Sequence, residues 1–142
     1  MSTLIKRKWI HIPKPLEWSY EIKRADVYLT PPEGNSSLII ICLKFRLGNM
    51  SWDDVSKYSK NYLQKGFSKE KIIHQVWQGY ELQKVEDSKC SVSWNIFSGR
   101  LLILASSTDK VSSCELVSFR EVVLGIVSTK EGRRLELDNT QP

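Results

Sequence analysis

The feature that most constrains the fold is a series of four segments between residues 72 and 107 in which apolar and polar residues alternate. Alternation with a period of two is typical of β-strands, because successive side chains point to opposite faces of a sheet. The breaks between the segments are short, and short connections join antiparallel strands. The sequence therefore predicts an antiparallel meander. Its strands are expected at residues 72–78, 80–86, 91–97 and 100–107, with Ser98-Gly99 as a two-residue hairpin turn.

The strongest single strand is predicted before the meander, at residues 38–47. Its first half is almost continuously apolar, which is typical of a strand buried on both faces near the centre of a sheet. Shorter strands are expected at residues 8–12 and 22–29. Pro13 should end the first of these, since proline cannot donate to a β-ladder, and residues 31–35 form a loop by their turn chemistry.

Two helices are predicted from capping signals. Ser51 with Asp54 resembles a capping box, and Gly66 ends the helix that follows. Ser112 with Glu115 marks a second start of the same kind. The apolar stripe of the second helix is wide enough to require packing on the sheet. It consists of Leu116, Phe119, Val122, Val123, Ile126 and Val127.

The predicted element order is β-β-β-α-β-β-β-β-α, which indicates an α+β fold. We expect a single antiparallel β-sheet meander with two packed helices. The chain has 142 residues, a length that suits one domain with one core. That domain is expected at residues 1–129, and the polar residues 130–142 are expected to form a frayed C-terminal tail.

The charge balance favours neither nucleic acid nor a membrane. The net charge is +5, from 21 Lys and Arg against 16 Asp and Glu. Nucleic-acid-binding domains usually concentrate their cations on one stripe interleaved with aromatic residues, whereas the acidic residues here are mixed among the basic ones. The longest apolar run, residues 38–43, is far shorter than the roughly 20 residues that span a bilayer. We expect a cytoplasmic protein.

The cysteines and carboxylates give no support to a metal site. Cys42, Cys90 and Cys114 are widely spaced, with no C-x-x-C pair among them. An odd number of thiols suits a reducing compartment, and we expect all three to be reduced and structural. Asp53 and Asp54 are adjacent on a helix, so they do not share a face, and capping accounts for both.

Known catalytic motifs are missing from the sequence. It contains no P-loop, G-x-G-x-x-G, H-E-x-x-H or G-x-S-x-G. Of its two histidines, His11 and His74, neither is paired by any sequence signal with a nucleophile. An enzyme that uses His74 remains the alternative, but we expect no enzymatic activity and no cofactor.

The aromatic residues point to a binding surface. Five tryptophans are many for a chain of this size, and the first explanation is packing in the core. The second is a groove for a partner, because tryptophan and tyrosine are enriched at interface hot spots. Alternation leaves apolar residues on both faces of the meander, so one face is free for a partner if helices cover the other. The partner-binding residues expected on this basis are Trp77, Tyr80 and Trp94, with the basic Lys23 and Arg24.

The layout resembles the PsbP-like fold, and in particular the DcrB-like domains, over roughly residues 8–129. In the second half the resemblance rests on Trp94, the hairpin glycine Gly99 and the strand at 101–106. The closing helix with Phe119, Val122 and Val123, and then Ser128, completes that half. The first half contributes Ile12-Pro13, the Pro31-Pro32 loop and the helix at 51–66.

The resemblance implies a protein without enzymatic activity. One branch of the family is similar to the Eag-type chaperones of bacterial type VI secretion, which cradle apolar segments of toxic effectors. Other small proteins with such folds resemble immunity proteins, which bind and block a cognate toxin. The strand at 39–46 lacks the arginine-acid ending expected of the chaperones. We therefore expect a bacterial immunity protein, with a secretion chaperone as the first alternative and a nucleic-acid-binding domain as the second.

Overall fold

The computed structural model describes residues 2–46 and 48–137, and over these ranges the chain forms ten strands and three helices. The strands are β1 (Ser2–Lys6), β2 (Ile10–Pro15), β3 (Ser19–Lys23), β4 (Asp26–Thr30), β5 (Leu38–Lys44), β6 (Ser68–His74), β7 (Trp77–Glu86), β8 (Lys89–Ser98), β9 (Leu101–Ser107) and β10 (Val127–Ser128). The helices are α1 (Trp52–Gln64), α2 (Ser113–Leu124) and α3 (Lys130–Leu137). The architecture is α+β, and the strand pairings are antiparallel, as predicted.

A seven-stranded sheet in the order β3-β4-β5-β9-β8-β7-β6 contains the predicted meander as its second half. The turn between the first two meander strands lies at Gln75 and Val76, three to four residues earlier than expected. Gln75 adopts a positive φ of 54° there, while Gly79, where we predicted the break, pairs within the sheet with Ile72 and Ile96. A polar residue in the left-handed region thus forms the turn, and the glycine at which we predicted it lies inside β7.

The β8–β9 hairpin turn is shifted as well, by a single residue. Ser98 pairs with Leu101, so Gly99 and Arg100 form the two-residue turn. Gly99 has φ 57°, whereas Arg100 is not among the positive-φ residues. This combination is typical of a type II′ turn, which places glycine at its first central position.

A second, three-stranded sheet in the order β1-β2-β10 corrects the expectation of a single sheet. Pro13 and Pro15 lie inside β2 instead of ending it. The carbonyl oxygen of Trp9 accepts a hydrogen bond from Thr129 on the β10 side, and odd-numbered residues of a strand share that direction. Since β10 pairs only with Ile10 and His11, the two prolines face an open edge and interrupt no ladder.

The two faces of the large sheet are covered unequally. On one face, which we call the α2 face, α2 and the small sheet pack together and close the main core. On the opposite face, the α1 face, α1 packs over β7 and β8. The main core includes the fully buried side chains Ile10, Ile12, Trp77, Trp94, Phe119 and Val123.

Both predicted capping boxes are confirmed. In α1 the Ser51 hydroxyl accepts from the Asp54 N–H, and the Asp54 carboxylate accepts from the Ser51 N–H. Ser112 and Glu115 make the same reciprocal pair at α2. Helix α1 buries Ser59, whose hydroxyl accepts a 3.1 Å hydrogen bond from Asn95 in β8, so a polar contact fixes the helix on the sheet.

Helix α3 occupies the first part of the segment that we predicted to be a frayed tail, and residues 138–142 lie outside the described residues. The Thr129 hydroxyl accepts from the Gly132 N–H and donates to the Lys8 carbonyl, at 3.1 and 2.7 Å. The Arg100 N–H donates to the Leu135 carbonyl at 3.1 Å. A Cβ at Gly132 would overlap the Trp9 carbonyl. Tertiary contacts therefore stabilise α3, a helix that its polar sequence did not predict.

The close approach of α3 to Trp9 makes Gly132 a sensitive position. We expect Gly132→Ala to lower the free energy of unfolding by about 1–3 kcal/mol, because the added methyl group displaces the helix from the backbone of Trp9. Arg133→Ala, at an exposed neighbour on the same helix, should change it by less than about 0.5 kcal/mol. Urea unfolding followed by circular dichroism measures both. Equal stability of the two variants would show that α3 is not docked as described.

Candidate functional site

The α2 face is fastened by a buried carboxylate. Glu81 on β7 is only 3% exposed. Its Oε1 accepts hydrogen bonds from Trp94 Nε1 and Arg120 Nε, each at 2.7 Å. Its Oε2 accepts from Arg120 Nη2 at 2.7 Å and from the side-chain amide of Gln83. Residues of β7, β8 and α2 thus meet on one ionised group.

The electrostatics of this cluster keep Glu81 charged. Burial raises the pKa of Glu81, but the hydrogen bonds from Arg120, Trp94 and Gln83, together with the charge of Arg120, outweigh it and hold the pKa below its ordinary value. The hydrogen bond to Glu81 raises the pKa of Arg120 in turn. With both oxygens saturated by donors, this carboxylate is a structural clamp and is not poised as a general base.

Two of the predicted binding tryptophans lie in the core. Trp94 is 0% exposed and donates to Glu81, while Trp77 is 1% exposed and donates to the Ile126 carbonyl at 2.8 Å. Their rings are packed in the core, and their indole N–H groups donate hydrogen bonds to other residues of the chain. In this conformation neither side chain is accessible to a partner, which differs from the expectation drawn from the sequence.

Tyr80 is also covered. It is 8% exposed, and Trp52 of α1 packs edge-on against it with ring centroids 5.3 Å apart. The Nζ atom of Lys69 lies 4.4 Å from the centre of the Tyr80 ring. Helix α1 therefore occupies the surface that we expected a partner to contact.

Lys23 and Arg24, the remaining predicted binding residues, are exposed. Arg24 lies in the tight turn between β3 and β4 with φ 58°. The Nζ atom of Lys23 lies 5.0 Å from the centre of the Tyr28 ring and 3.8 Å from Oε2 of Glu21. The structure thus separates the predicted set into a buried aromatic group and an exposed basic turn.

The uncovered part of the α1 face bears an apolar strip on β4, β5 and β9. Tyr28 pairs with Ile39, and Ile41 pairs with Leu104, so these side chains adjoin one another on one face. All four are half-buried, and Leu43, two residues beyond Ile41, is 40% exposed. We predicted β5 to be buried on both faces, but its α1 face is partly open. The apolar strip is Tyr28, Ile39, Ile41, Leu43 and Leu104.

A cavity of about 470 Å³ opens beside the strip at the end of β5, and we call it the cationic notch. Lys44 and Arg46 belong to its lining, and Arg7 and Lys8 line a smaller adjoining cavity of about 160 Å³ that shares Trp9, Ala25 and Cys42 with it. No carboxylate is among the residues that line either cavity. The complete lining of the notch is Trp9, Ala25, Cys42, Leu43, Lys44, Phe45, Arg46, Tyr58 and Leu102.

Among the described residues, the side chains that could serve in acid–base catalysis or metal binding do not form a cluster. His11 lies on β2 and His74 lies at the end of β6, in different sheets. Over residues 2–46 and 48–137, no group of three or more His, Cys, Asp or Glu side chains could hold a metal ion. Within the same ranges, no helix combines the length and apolar character needed to cross a membrane.

Neither the Glu81 clamp nor the apolar strip was predicted from the sequence. Glu81 lies directly opposite Trp94, and a carboxylate on the most apolar face of a predicted meander was the available signal for a buried ion pair. The strip was hidden by the continuous apolar character of β5, which is equally compatible with one open face.

Comparison with known proteins adds information about the fold. No family model matches the chain, and no curated protein matches it. Among solved structures it is similar to a crystal structure from Bacteroides thetaiotaomicron VPI-5482, with a TM-score of 0.59 and 20% sequence identity. The match covers 87% of this chain and 46% of that chain, so this chain spans less than half of that protein's length. At this identity the likeness shows a shared fold alone.

The clamp predicts a specific pH dependence of stability. Because the pKa of Glu81 is lowered in the folded state, its contribution is present above the ordinary glutamate pKa of about 4.3 and is lost as the pH falls through the folded value. Glu81→Gln should lower the free energy of unfolding by about 2 kcal/mol at pH 7, and the difference from the wild type should shrink under acid.

Glu86→Gln is the matched control for this clamp experiment. Glu86 is 45% exposed, 3.8 Å from Lys110, and its loss should change the free energy of unfolding by less than about 1 kcal/mol. Urea unfolding between pH 3 and pH 8 measures all three proteins. A difference between Glu81→Gln and the wild type that does not depend on pH would contradict the clamp.

The thiols should differ in reactivity. Burial raises the pKa of Cys42 to about 12. Burial and then the nearby Glu81 charge raise the pKa of Cys90, whereas Cys114 on α2 is exposed. Since the thiolate is the reactive form, iodoacetamide should label Cys114 first. Mass spectrometry of the native protein and of a urea-unfolded control measures the order, and early labelling of Cys42 would mean that the end of β5 opens readily.

Proposed function

We propose that this chain is a non-catalytic, cytoplasmic protein-binding domain of bacterial origin, and specifically an immunity protein that occludes a cognate secreted toxin. One observation carries the proposal: the apolar strip on the uncovered part of the α1 face lies next to the cationic notch at the end of β5. The seven-stranded sheet with helices on it is compatible with the PsbP-like, DcrB-like sandwich, and that family assignment is part of the proposal.

The strip supports protein binding through its composition. It offers five large apolar side chains in register on three neighbouring strands, none of them fully buried. Contiguous apolar patches rimmed by polar groups mark interaction surfaces. The Glu81 clamp and the small sheet close the main core on the α2 face, so the strip is a part of the large sheet on which a partner can dock while the core stays packed.

The notch favours a toxin over an apolar segment as the partner. Its cations attract a partner surface that bears carboxylates, and such complementarity speeds association and selects the partner. A hydrophobic segment of an effector offers no charges to match Lys44 or Arg46. Occlusion by an immunity protein needs contact with a folded, charged surface, and the combined strip and notch suit that task.

A secretion chaperone is the second candidate, and the strip itself favours it. A chaperone for an apolar segment needs an uncovered apolar surface, and the strip is one. A nucleic-acid-binding domain is a further alternative, supported by the four cations around the notch. If phosphates drove binding, the affinity would fall linearly with salt concentration on logarithmic axes.

A growth assay tests the immunity proposal. The secreted protein encoded by the neighbouring gene is produced in the cytoplasm of a sensitive bacterium, with and without this chain. We expect the wild-type chain to restore growth. Leu43→Glu should abolish the rescue, because it places a charge in the strip. Val85→Glu, at an apolar residue of β7 that is 69% exposed and distant from the strip, should rescue fully.

Two outcomes would contradict the immunity proposal. One is toxicity that the wild-type chain does not relieve, and the other is full rescue by Leu43→Glu when both variants accumulate equally. A neighbouring gene whose product is a non-toxic effector with an apolar segment, bound by the chain and stabilised by it, would favour the chaperone.

A further inference from the structure

The side of β5 that faces β4 is paired at three of the seven residues of the strand. Strand β4 covers Leu38, Ile39 and Ile40, and the chain then turns away at Ala25. Strand β9, on the opposite side, continues to Lys44. Within the described residues, no strand pairs with β5 beyond Ile40 on the β4 side. This leaves an open strand edge at the cationic notch.

The backbone groups at this open edge can be identified from the ladder. The Phe45 N–H donates to the Arg100 carbonyl at 2.7 Å, on the β9 side. Backbone direction alternates along a strand, so the N–H and C=O groups of Cys42 and Lys44 point the other way, into the notch. No turn or loop hydrogen bond between described backbone groups reaches either residue. Two donors and two acceptors are therefore presented to an incoming strand.

The two faces beside the open edge differ in character. On the α1 face the edge adjoins the apolar strip, with Ile41 and Leu43 closest. On the α2 face it adjoins Lys44 itself and the smaller cavity, whose lining includes Arg7 and Lys8. A strand added here would direct alternate side chains to these two faces. Its matching sequence therefore alternates apolar and acidic residues.

We propose that the open edge of β5 binds an extended segment of the partner protein by strand addition, and that this segment alternates apolar and acidic side chains. Backbone hydrogen bonds to Cys42 and Lys44 supply affinity, and the two unlike faces supply specificity, as in other cases of strand addition. The inference rests on the proposed binding function and specifies the part of the partner that is recognised.

Charge argues against a second copy of this chain as the occupant. In an antiparallel pair of two β5 edges, Lys44 and Arg46 of one chain would lie beside the same cations of the other, with Arg7 and Lys8 nearby. Like charges opposite each other on paired strands are destabilising, and lysine on an edge strand is a known means of preventing self-association. The same cations attract an acidic strand.

The test uses a capped hexapeptide of alternating glutamate and valine with the full chain. Two control peptides carry glutamine in place of glutamate, or N-methyl groups on alternate residues, which remove the donors that face β5. Affinity is measured by fluorescence anisotropy, and amide exchange by NMR locates the contact. We expect a dissociation constant below about 1 mM, weaker binding by both control peptides and in high salt, and slower exchange of the Cys42 and Lys44 amides.

Two charge-reversal variants test whether the cation at the open edge contributes to peptide binding. Lys44→Glu should weaken binding of the acidic peptide about fivefold. The matched control is Lys89→Glu, at an exposed residue where β8 begins, at the other end of the sheet from Lys44, and it should bind as the wild type does. Both positions are exposed, so both variants are expected to fold.

Three results would overturn strand addition at β5. They are no binding up to about 1 mM, equal binding of the N-methylated peptide, and protection of the Cys42 and Lys44 amides by raised protein concentration without peptide, which would identify a second copy as the occupant. Growth rescue by this chain together with failure of the peptide would retain the immunity function and reject only this edge. Peptide binding without growth rescue would support strand addition at β5 and reject the immunity function.

Discussion

The ionised Glu81 carboxylate, held by Arg120 and Trp94, is the interaction on which the rest of the fold depends. A charge in the core is expensive unless it is paired and hydrogen-bonded, and here each carboxylate oxygen accepts two hydrogen bonds. The pair fixes the position of α2, and α2 leads directly to β10 and α3. Closure of the α2 face therefore follows from one buried charge and its partners.

Closure of one face determines where binding can occur. The small sheet and α2 bury Trp77 and Trp94, so the most aromatic part of the sequence stabilises the core. Helix α1 packs mainly over β7 and β8 on the other face, and a partly exposed apolar strip remains on β4, β5 and β9. The proposed binding surface is thus what the packing leaves open, and its cations come from strand ends and turns.

Local signals in the sequence were sufficient for part of this fold. The capping boxes at Ser51 and Ser112 and the alternation of the meander depend on neighbouring residues, and they predicted both major helices and the antiparallel sheet. The small sheet and α3 depend on contacts between residues far apart in the chain, such as the Thr129 hydroxyl on Lys8. No pattern within one segment encodes such contacts, and so these elements were missed.

The candidate site was harder to predict for the same reason. The sequence does not distinguish a tryptophan in the core from one in an interface. The position of α2 decides that Trp94 is buried. Of the five residues expected to bind a partner, the exposed pair Lys23 and Arg24 was chosen for its charge. It lies where the chain turns between β3 and β4, inside the segment 22–29 that we predicted to be one strand. The strip on β5 could be recognised only once α1 was known to lie over β7 and β8.

The most direct test of this account is hydrogen–deuterium exchange of the whole chain, alone and with the secreted protein encoded by the neighbouring gene. The account predicts slower exchange at residues 39–46 and 25–29, with no change in α2 or the small sheet. Protection confined to α2 and the small sheet, or none at all, would contradict the claim that the uncovered part of the α1 face is the binding surface.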